Sequence, residues 1–573
     1  MLIAVSQRLE RTRAVSQRLR RTVEAAADRA RTNRNGRNGH AGILDGWVSR
    51  TRGAIVKGRL GSRTTGDTGV VDTPGAVNRE REVKLEAPTG FVLPRLDGLG
   101  GLRVNSDEDV DLDADYYDTD DLRLTRAGMS LRYRSDDGWT AKLPVAVRSA
   151  FLDRAEHSVA GARGEPPREA KDLIGAWTRA APLRMIARLR TRRRRVRLGH
   201  RPGVTDVEVA DDRVVASIPG SGRSQFREIE VELGPNASKK TRKAVVSRLR
   251  AAGARTGDTL PKIARALGHR AMAAADVAPP KRLRKRSTVR DLVRASIASS
   301  LHRLVTHDAA VRLGSDPEAV HQARVATRRL RSDLRTFRPL VDRSITEPLR
   351  DELQWLGSKL GAVRDADVLT ELLRAKLDLL DETDAAEGRS LLQLLARERR
   401  EAHDELVHVM RGNRYDRLLD RLVAAARRPP VTPKAAKKRA TSVVPKLVRR
   451  PWRRLGRTVK ELSSSPTDSE LHEVRKRAKQ TRYAAEAVAA IIGRPARDFA
   501  KAMARLQDVL GAHQDAVVAR AWLRDAARKS DNHELVFLAG ELAGLGANDR
   551  QARREAWPAE WRRARRKKLR RWL

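Results

Sequence analysis

At 573 residues with 40% apolar side chains, the chain exceeds one ordinary domain and has enough hydrophobic content for sizeable cores, which excludes wholesale disorder. A formal charge of +46, from 119 Lys and Arg against 73 Asp and Glu, calls for a polyanionic partner: nucleic acid, an anionic membrane or a phosphate polymer. With no cysteine there is no disulfide framework, thiolate metal site or cysteine nucleophile, and aromatic residues at 3% weigh against single strands held by base stacking.

Residues 1–78 read as a basic extension. "AVSQRL" occurs at 4–9 and again at 14–19, and a run rich in Gly, Asn, Arg and Thr follows, so a helix-forming start and a disordered linker are expected. The first residues turn polar too soon for a signal peptide, and no stretch reaches the length of a membrane span. The expected location is the cytoplasm.

From residue 79 to about 235 short alternating segments appear, among them "REREVKLE", "LRYR", "WTAKLP", "VTDVEVADDRVVASI" and "SQFREIEVELG". Period-2 alternation with Gly and Pro punctuation predicts strands in an antiparallel sheet or barrel. Side chains alternate along a strand, so "EREVK" sets Glu80, Glu82 and Lys84 on one face. In the same way "REIEVEL" aligns Glu228, Glu230 and Glu232, and "EVADD" adds Glu208 and Asp212. Cations alternate too: Arg132 and Arg134, then Lys142, Arg154 and an arginine of "RTRRRRVRL". Charges buried inside a barrel are costly unless they neutralise one another, a metal or a ligand. Carboxylates clustered without Cys and with little His make an oxygen-rich site for Mg²⁺ or Mn²⁺, and clustered Arg and Lys hold phosphate oxygens. Together they point to a metal-bound polyphosphate in a tunnel.

This region, about 79–275, resembles a CYTH domain, the triphosphate tunnel metalloenzyme fold. The resemblance rests on the E-x-E-x-K of Glu80, Glu82 and Lys84, followed in order by "YYDTDDLRLTRAGMSLRYR", "WTAKLP", "EVADDRV", "FREIEVELG" and "LPKIARAL". It implies an eight-stranded antiparallel barrel around a tunnel with a divalent metal. Members hydrolyse tripolyphosphate or thiamine triphosphate, cap RNA, or cyclise ATP. Carried over by position, Glu80, Glu82, Glu228, Glu230 and Glu232 are the implied metal ligands. Lys84, Arg132, Arg134, Lys142, Arg154 and Arg193 are the implied phosphate ligands, with Arg193 drawn from the run Arg192 to Arg195, where the register can slip by one. Glu208 and Asp212 match an acidic pair in the family. No residue stands out as a general base.

From about 286 onward the pattern is helical. "STVRDLVRASIASSLHRLVTHDAAVRLG" opens with Ser287 as the expected N-cap and ends at Gly314. The Pro- and Lys-rich segment 427–440 separates two halves, about 286–426 and 441–573. In register, His321 meets His472, Arg324 meets Arg475, Arg328 meets Lys479 and Arg331 meets Arg482, while "LGAVRDADVL" meets "LGAHQDAVVA". The helical region is an internal duplication. On a helix these four positions fall within an arc of roughly 80° and span about 15 Å, so two such helices would line one basic groove. Residues 286–573 resemble a CHAD domain, on "HQARVATRRLRSDLRTF", "LGAVRDADVL", "LHEVRKRAKQTRYAAE" and "LQDVLGAHQDA". The resemblance implies a duplicated helical bundle whose basic surface binds inorganic polyphosphate through the eight aligned residues. One departure is Gln514, which stands opposite Arg364.

The chain therefore reads as an α+β multidomain protein. A metal-dependent triphosphatase barrel is expected before a helical module that recruits long-chain polyphosphate or attaches the chain to polyphosphate granules. The competing readings are a barrel that binds without turnover, a nucleic-acid binder, which charge alone allows, and an adenylate cyclase.

Overall fold

The computed structural model describes residues 78–88, 90–144, 152–234, 237–257, 260–380 and 385–573; within these, the side chains of residues 78–81, 144, 152–154 and 385 lie outside the description. The expected extension at 1–78 falls outside the described residues apart from its last position. Among the described residues nine antiparallel strands form one sheet: β1 Asn78–Glu86, β2 Arg103–Asp118, β3 Ser130–Arg134, β4 Gly138–Pro144, β5 Leu152–Val159, β6 Arg184–Gly199, β7 Val207–Ile218, β8 Gly222–Leu233 and β9 Arg255–Thr256. Their order is β5-β4-β3-β2-β6-β7-β8-β1-β9, and β5 also pairs with β1. Eight strands thus close into a barrel, which removes their edges. The count exceeds the expected eight because the two-residue β9 pairs with Leu85 and Glu86 at the end of β1.

The strand period sorts side chains between lumen and exterior. Leu85, Val207, Val209, Ile229 and Val231 point outward and pack under α2 (Lys239–Ala251), against Val245 and Leu249. Leu131, Trp139, Ala141 and Leu143 point outward under α1 (Arg168–Thr178), against Leu173, Ile174 and Trp177. One end of the lumen is apolar: Ala114, Tyr116, Leu189, Val214 and Ala216 pack against Ile263 and Leu267 of the short α3, Lys262–Leu267. The charged side chains of the lumen gather away from this end.

The helical region begins with α4 (Val289–Leu313). Its N-cap is Thr288 and not the expected Ser287, because Thr288 and Asp291 satisfy each other's backbone N–H in a capping box. Gly314 ends the helix at φ 70°, a conformation glycine adopts without a Cβ penalty. There follow α5 Pro317–Thr336, α6 Arg343–Leu377, α7 Ala385–Met410, α8 Asn413–Arg427, α9 Ala440–Lys460, α10 Asp468–Ile492, α11 Arg494–Arg528 and α12 His533–Ala564. The order α4–α7 recurs as α9–α12, and α5 packs beside its counterpart α10. The segment between the halves is held at both ends: Val431 bridges to Val341, and Arg439 to Thr288.

Barrel and bundle share a core. Leu173, Ile174 and Trp177 of α1 belong to the same apolar cluster as Val289, Leu304 and Leu418. Charged contacts reinforce the joint. Arg312 and Arg411 both reach Asp172, at 3.3 and 2.6 Å, and Arg179 pairs with Asp276 and Asp420.

Candidate functional site

The ladder fixes the lumen. Lys84 lies opposite Glu230 and Glu82 opposite Glu232 across β1 and β8, while Asp212 lies opposite Glu228 and Arg193 opposite Asp212 across the next two pairs. Lys84 Nζ is 2.5 Å from Glu230, 3.6 Å from Glu228 and 3.8 Å from Glu82. Arg193 donates from Nε and Nη2 to Asp212, both at 2.8 Å, and from Nη2 to Glu230 at 2.9 Å. A further cation enters from α3: Lys262 Nζ lies 2.9 Å from Asp212, 3.1 Å from Glu228 and 2.5 Å from Glu230. Burial works against the charge on Lys262, but Asp212, Glu230 and Glu228 outweigh it and hold its pKa well above the ordinary lysine value. Burial likewise works against Glu230, but Lys262, Lys84 and Arg193 hold its carboxyl well below the usual range. Lys84 is raised on the same logic, chiefly by Glu230.

Two carboxylate triads result. Glu82, Glu230 and Glu232 present oxygens within 4.8 Å of one another, and so do Asp212, Glu228 and Glu230. These hard oxygen donors, without thiolate or imidazole, could hold a hard divalent cation. Glu230 belongs to both.

Around the lumen, Arg132 lies 3.4 Å from Glu156 and 3.3 Å from Asp137, Lys142 lies 3.4 Å from Glu156, and Arg134 lies 2.6 Å from Asp136. Glu208 accepts from Arg197 at 3.1 Å and lies opposite Glu232. In the arginine run the register is resolved: the Arg193 side chain is 14% exposed, whereas Arg192 and Arg194 are 68% and 49% exposed and pair with Asp109 and Asp107 on the exterior. The backbones of Glu80 and Arg154 pair with each other across β1 and β5, while their side chains lie outside the described residues. The sequence reading missed Lys262 and Glu156. The first sits in "LPKIARAL", on a helix where no strand period singles it out; the second follows Arg154 by two residues, so the period could have found it.

In the bundle, α5 and α10 bring most of the predicted cations together. Arg328, Arg475, Arg324 and Arg331 all act on Lys479, whose pKa is pushed down to about 7 by burial and then by these like charges. Arg324 pairs with Asp365 at 3.0 Å, and Arg482 pairs with Glu486 at 2.7 Å. Arg328, Arg475 and Lys479 form no ion pair among the described residues, and the buried Nε of Arg328 and of Arg475 has no hydrogen-bond partner. The duplication extends to packing: Arg324 lies over Gly361 and Arg475 over Gly511, each about 3.7–3.8 Å from where a Cβ would stand. The histidines differ. His472 Nδ1 lies 2.7 Å from Gln514 Oε1, whereas Arg364, opposite Gln514 in the repeat, pairs with Glu371. Burial lowers the pKa of His321.

A closed antiparallel barrel with paired carboxylate triads, joined to a duplicated helical bundle with a basic groove, defines a two-module class of phosphate-handling protein. The CYTH domain family matches residues 78–263 and the CHAD domain family residues 295–524. This chain belongs to the proteins that join a CYTH domain to a CHAD domain. CYTH domains form a family of metal-dependent phosphohydrolases and cyclases. Two Mycobacterium tuberculosis proteins, Uncharacterized protein MT2285 (strain CDC 1551 / Oshkosh) and Uncharacterized protein Rv2226 (strain ATCC 25618 / H37Rv), are each 30% identical over 472 residues, covering 78% of this chain and 88% of theirs. Among solved structures, PptA from Streptomyces chartreusis is 25% identical, covers 48% of this chain and all of its own, and aligns with a TM-score of 0.41. The CHAD domain from the plant Ricinus communis is 24% identical, covers 49% of this chain and 94% of its own, and aligns with a TM-score of 0.40. No helix among the described residues is long and apolar enough to cross a membrane.

Proposed function

We propose that the barrel, taken as residues 79–275, hydrolyses the terminal phosphoryl group of inorganic triphosphate or a related chain, and that the bundle, 286–573, binds long-chain polyphosphate. The observation that carries the reading is the sharing of Asp212, Glu228 and Glu230 by Lys84, Arg193 and Lys262. Such a site is neutralised internally and can exchange its partners for a metal and a phosphate chain. Glu82, Glu230 and Glu232, with Asp212 and Glu228, would hold Mg²⁺ or Mn²⁺. The bound ion supplies Lewis-acid charge to phosphate oxygens. Lys84, Arg132, Lys142 and Arg193 fix the chain from several strands, and this positioning contributes most of what a protein supplies in phosphoryl transfer. The apolar end packed by α3 keeps bulk water from one side of the lumen. The proposed location is the cytoplasm, in association with polyphosphate.

The test is phosphate release by the full chain with Mg²⁺ or Mn²⁺ from tripolyphosphate, thiamine triphosphate, ATP and long-chain polyphosphate. Turnover of tripolyphosphate that disappears in Glu228→Gln/Glu230→Gln supports the reading. Binding without turnover leaves a polyphosphate scaffold, and cyclic AMP among the products from ATP makes the barrel a cyclase.

A further inference from the structure

Beyond Arg328 the basic groove continues into a cleft of about 1030 Å³ between α4, α5, α10 and α11. Part of its lining is neutralised: Arg329 pairs with Asp333 and Glu486, and Arg482 shares Glu486. The remaining cations are not. Arg303, Arg328, Arg497, Lys281 and Arg282 all line this cleft, and none forms an ion pair among the described residues. Ser296, Ser299 and Ser300 add hydroxyl groups along the α4 wall.

Lys281 and Arg282 belong to neither module. They lie in the segment between α3 and α4, and both are exposed. Two features hold that segment against the bundle: Leu283 packs on its core, and the backbone carbonyl of Ser287 accepts from the backbone N–H of Ala440 at the start of α9, at 3.0 Å. The cations left without an ion pair raise the free energy of the empty cleft and favour an anion that touches several of them at once.

We propose that the segment joining the modules is one wall of the polyanion site, with Lys281 and Arg282 contacting a phosphate chain that runs from the Arg328 groove into the cleft. The inference rests on reading the bundle as a phosphate-polymer binder. A bound chain then lies against the connection to the barrel and ties bundle occupancy to the module that would consume the polymer.

The experiment is fluorescence anisotropy of end-labelled long-chain polyphosphate with the full chain over a salt series. Lys281→Ala/Arg282→Ala is expected to weaken binding about tenfold at low salt and to lower the slope of log affinity against log salt by about one to two, as for any loss of two backbone-charge contacts. Lys285→Ala/Arg286→Ala removes the same charge from the same segment outside the cleft lining, and should stay within about twofold of wild type. An unchanged slope in the first variant, or an equal loss in the second, overturns the inference while leaving the bundle a binder. No binding by the wild-type chain overturns the reading of the bundle itself, and the inference with it.

Discussion

In the barrel lumen Lys84, Lys262 and Arg193 share Asp212, Glu228 and Glu230, whereas in the helical groove Arg328, Arg475 and Lys479 face one another with no carboxylate paired to them among the described residues. Both regions gather several cations at close range, but they hold them differently. The lumen balances its charges when empty, so its order does not depend on a ligand, and an incoming phosphate chain must arrive with a cation to replace the lysines on the carboxylates. The groove keeps its repulsion, which a polyanion relieves directly. Anion binding in the barrel is therefore expected to require a divalent ion. In the bundle it is expected to need none and to weaken with salt.

The sharpest way to break this comparison is Glu230→Gln, which removes the carboxylate common to both triads. Phosphate release should fall about 10³-fold, since charge stabilisation in the site is lost. Next is Lys262→Met, which leaves three buried carboxylates short of a counter-charge. Without metal the chain should lose about 3 kcal/mol of stability, and Mg²⁺ or Mn²⁺ should restore more of the melting temperature than it adds to wild type. If the variant melts like wild type without metal, the lumen is not balanced as described.

The groove should respond with the opposite sign. Arg328→Ala/Lys479→Ala is expected to leave the ligand-free chain as stable as wild type or more so, because a repulsion is removed, while polyphosphate affinity falls about 30-fold. The smallest effect concerns pH. Lys479, held near 7 in the folded chain against 10.5 ordinarily, is protonated less in the folded than in the unfolded state between those values. The stability of the ligand-free chain should therefore rise with pH across that window. A bound polyanion favours the charged lysine, so binding takes up a proton and affinity should drop about tenfold as pH rises through 7 and beyond. Lys479→Arg stays charged and should flatten the profile; a flat wild-type profile would refute the assignment.

The sequence shows the lumen where one strand period governs. Glu82, Lys84, Glu228, Glu230 and Asp212 follow from alternation, whereas Arg193 stands in a run of arginines whose register the sequence leaves open by one, and the exposure of Arg192 and Arg194 fixes it. Lys262 escapes because it enters from a helix after β8, and only closure of the barrel brings it to Asp212. Thr288 escapes because Ser287 is an equally good cap by composition; Asp291, three residues after Thr288, is the signal that separates them. The basic groove follows from the repeat, since duplication places matching helices side by side. The shared core of barrel and bundle has no local signature: Trp177 on α1 reads like any amphipathic helix residue until the bundle covers it.

That shared core sets an order of events during synthesis. The barrel's α1 leaves the ribosome well before Val289–Leu313 and Asn413–Arg427, which share its core. At roughly 5–20 residues per second, the side of α1 that packs on Val289–Leu313 waits on the order of tens of seconds for its partners. A chain truncated before the bundle would leave that side of α1 without the helix it packs on.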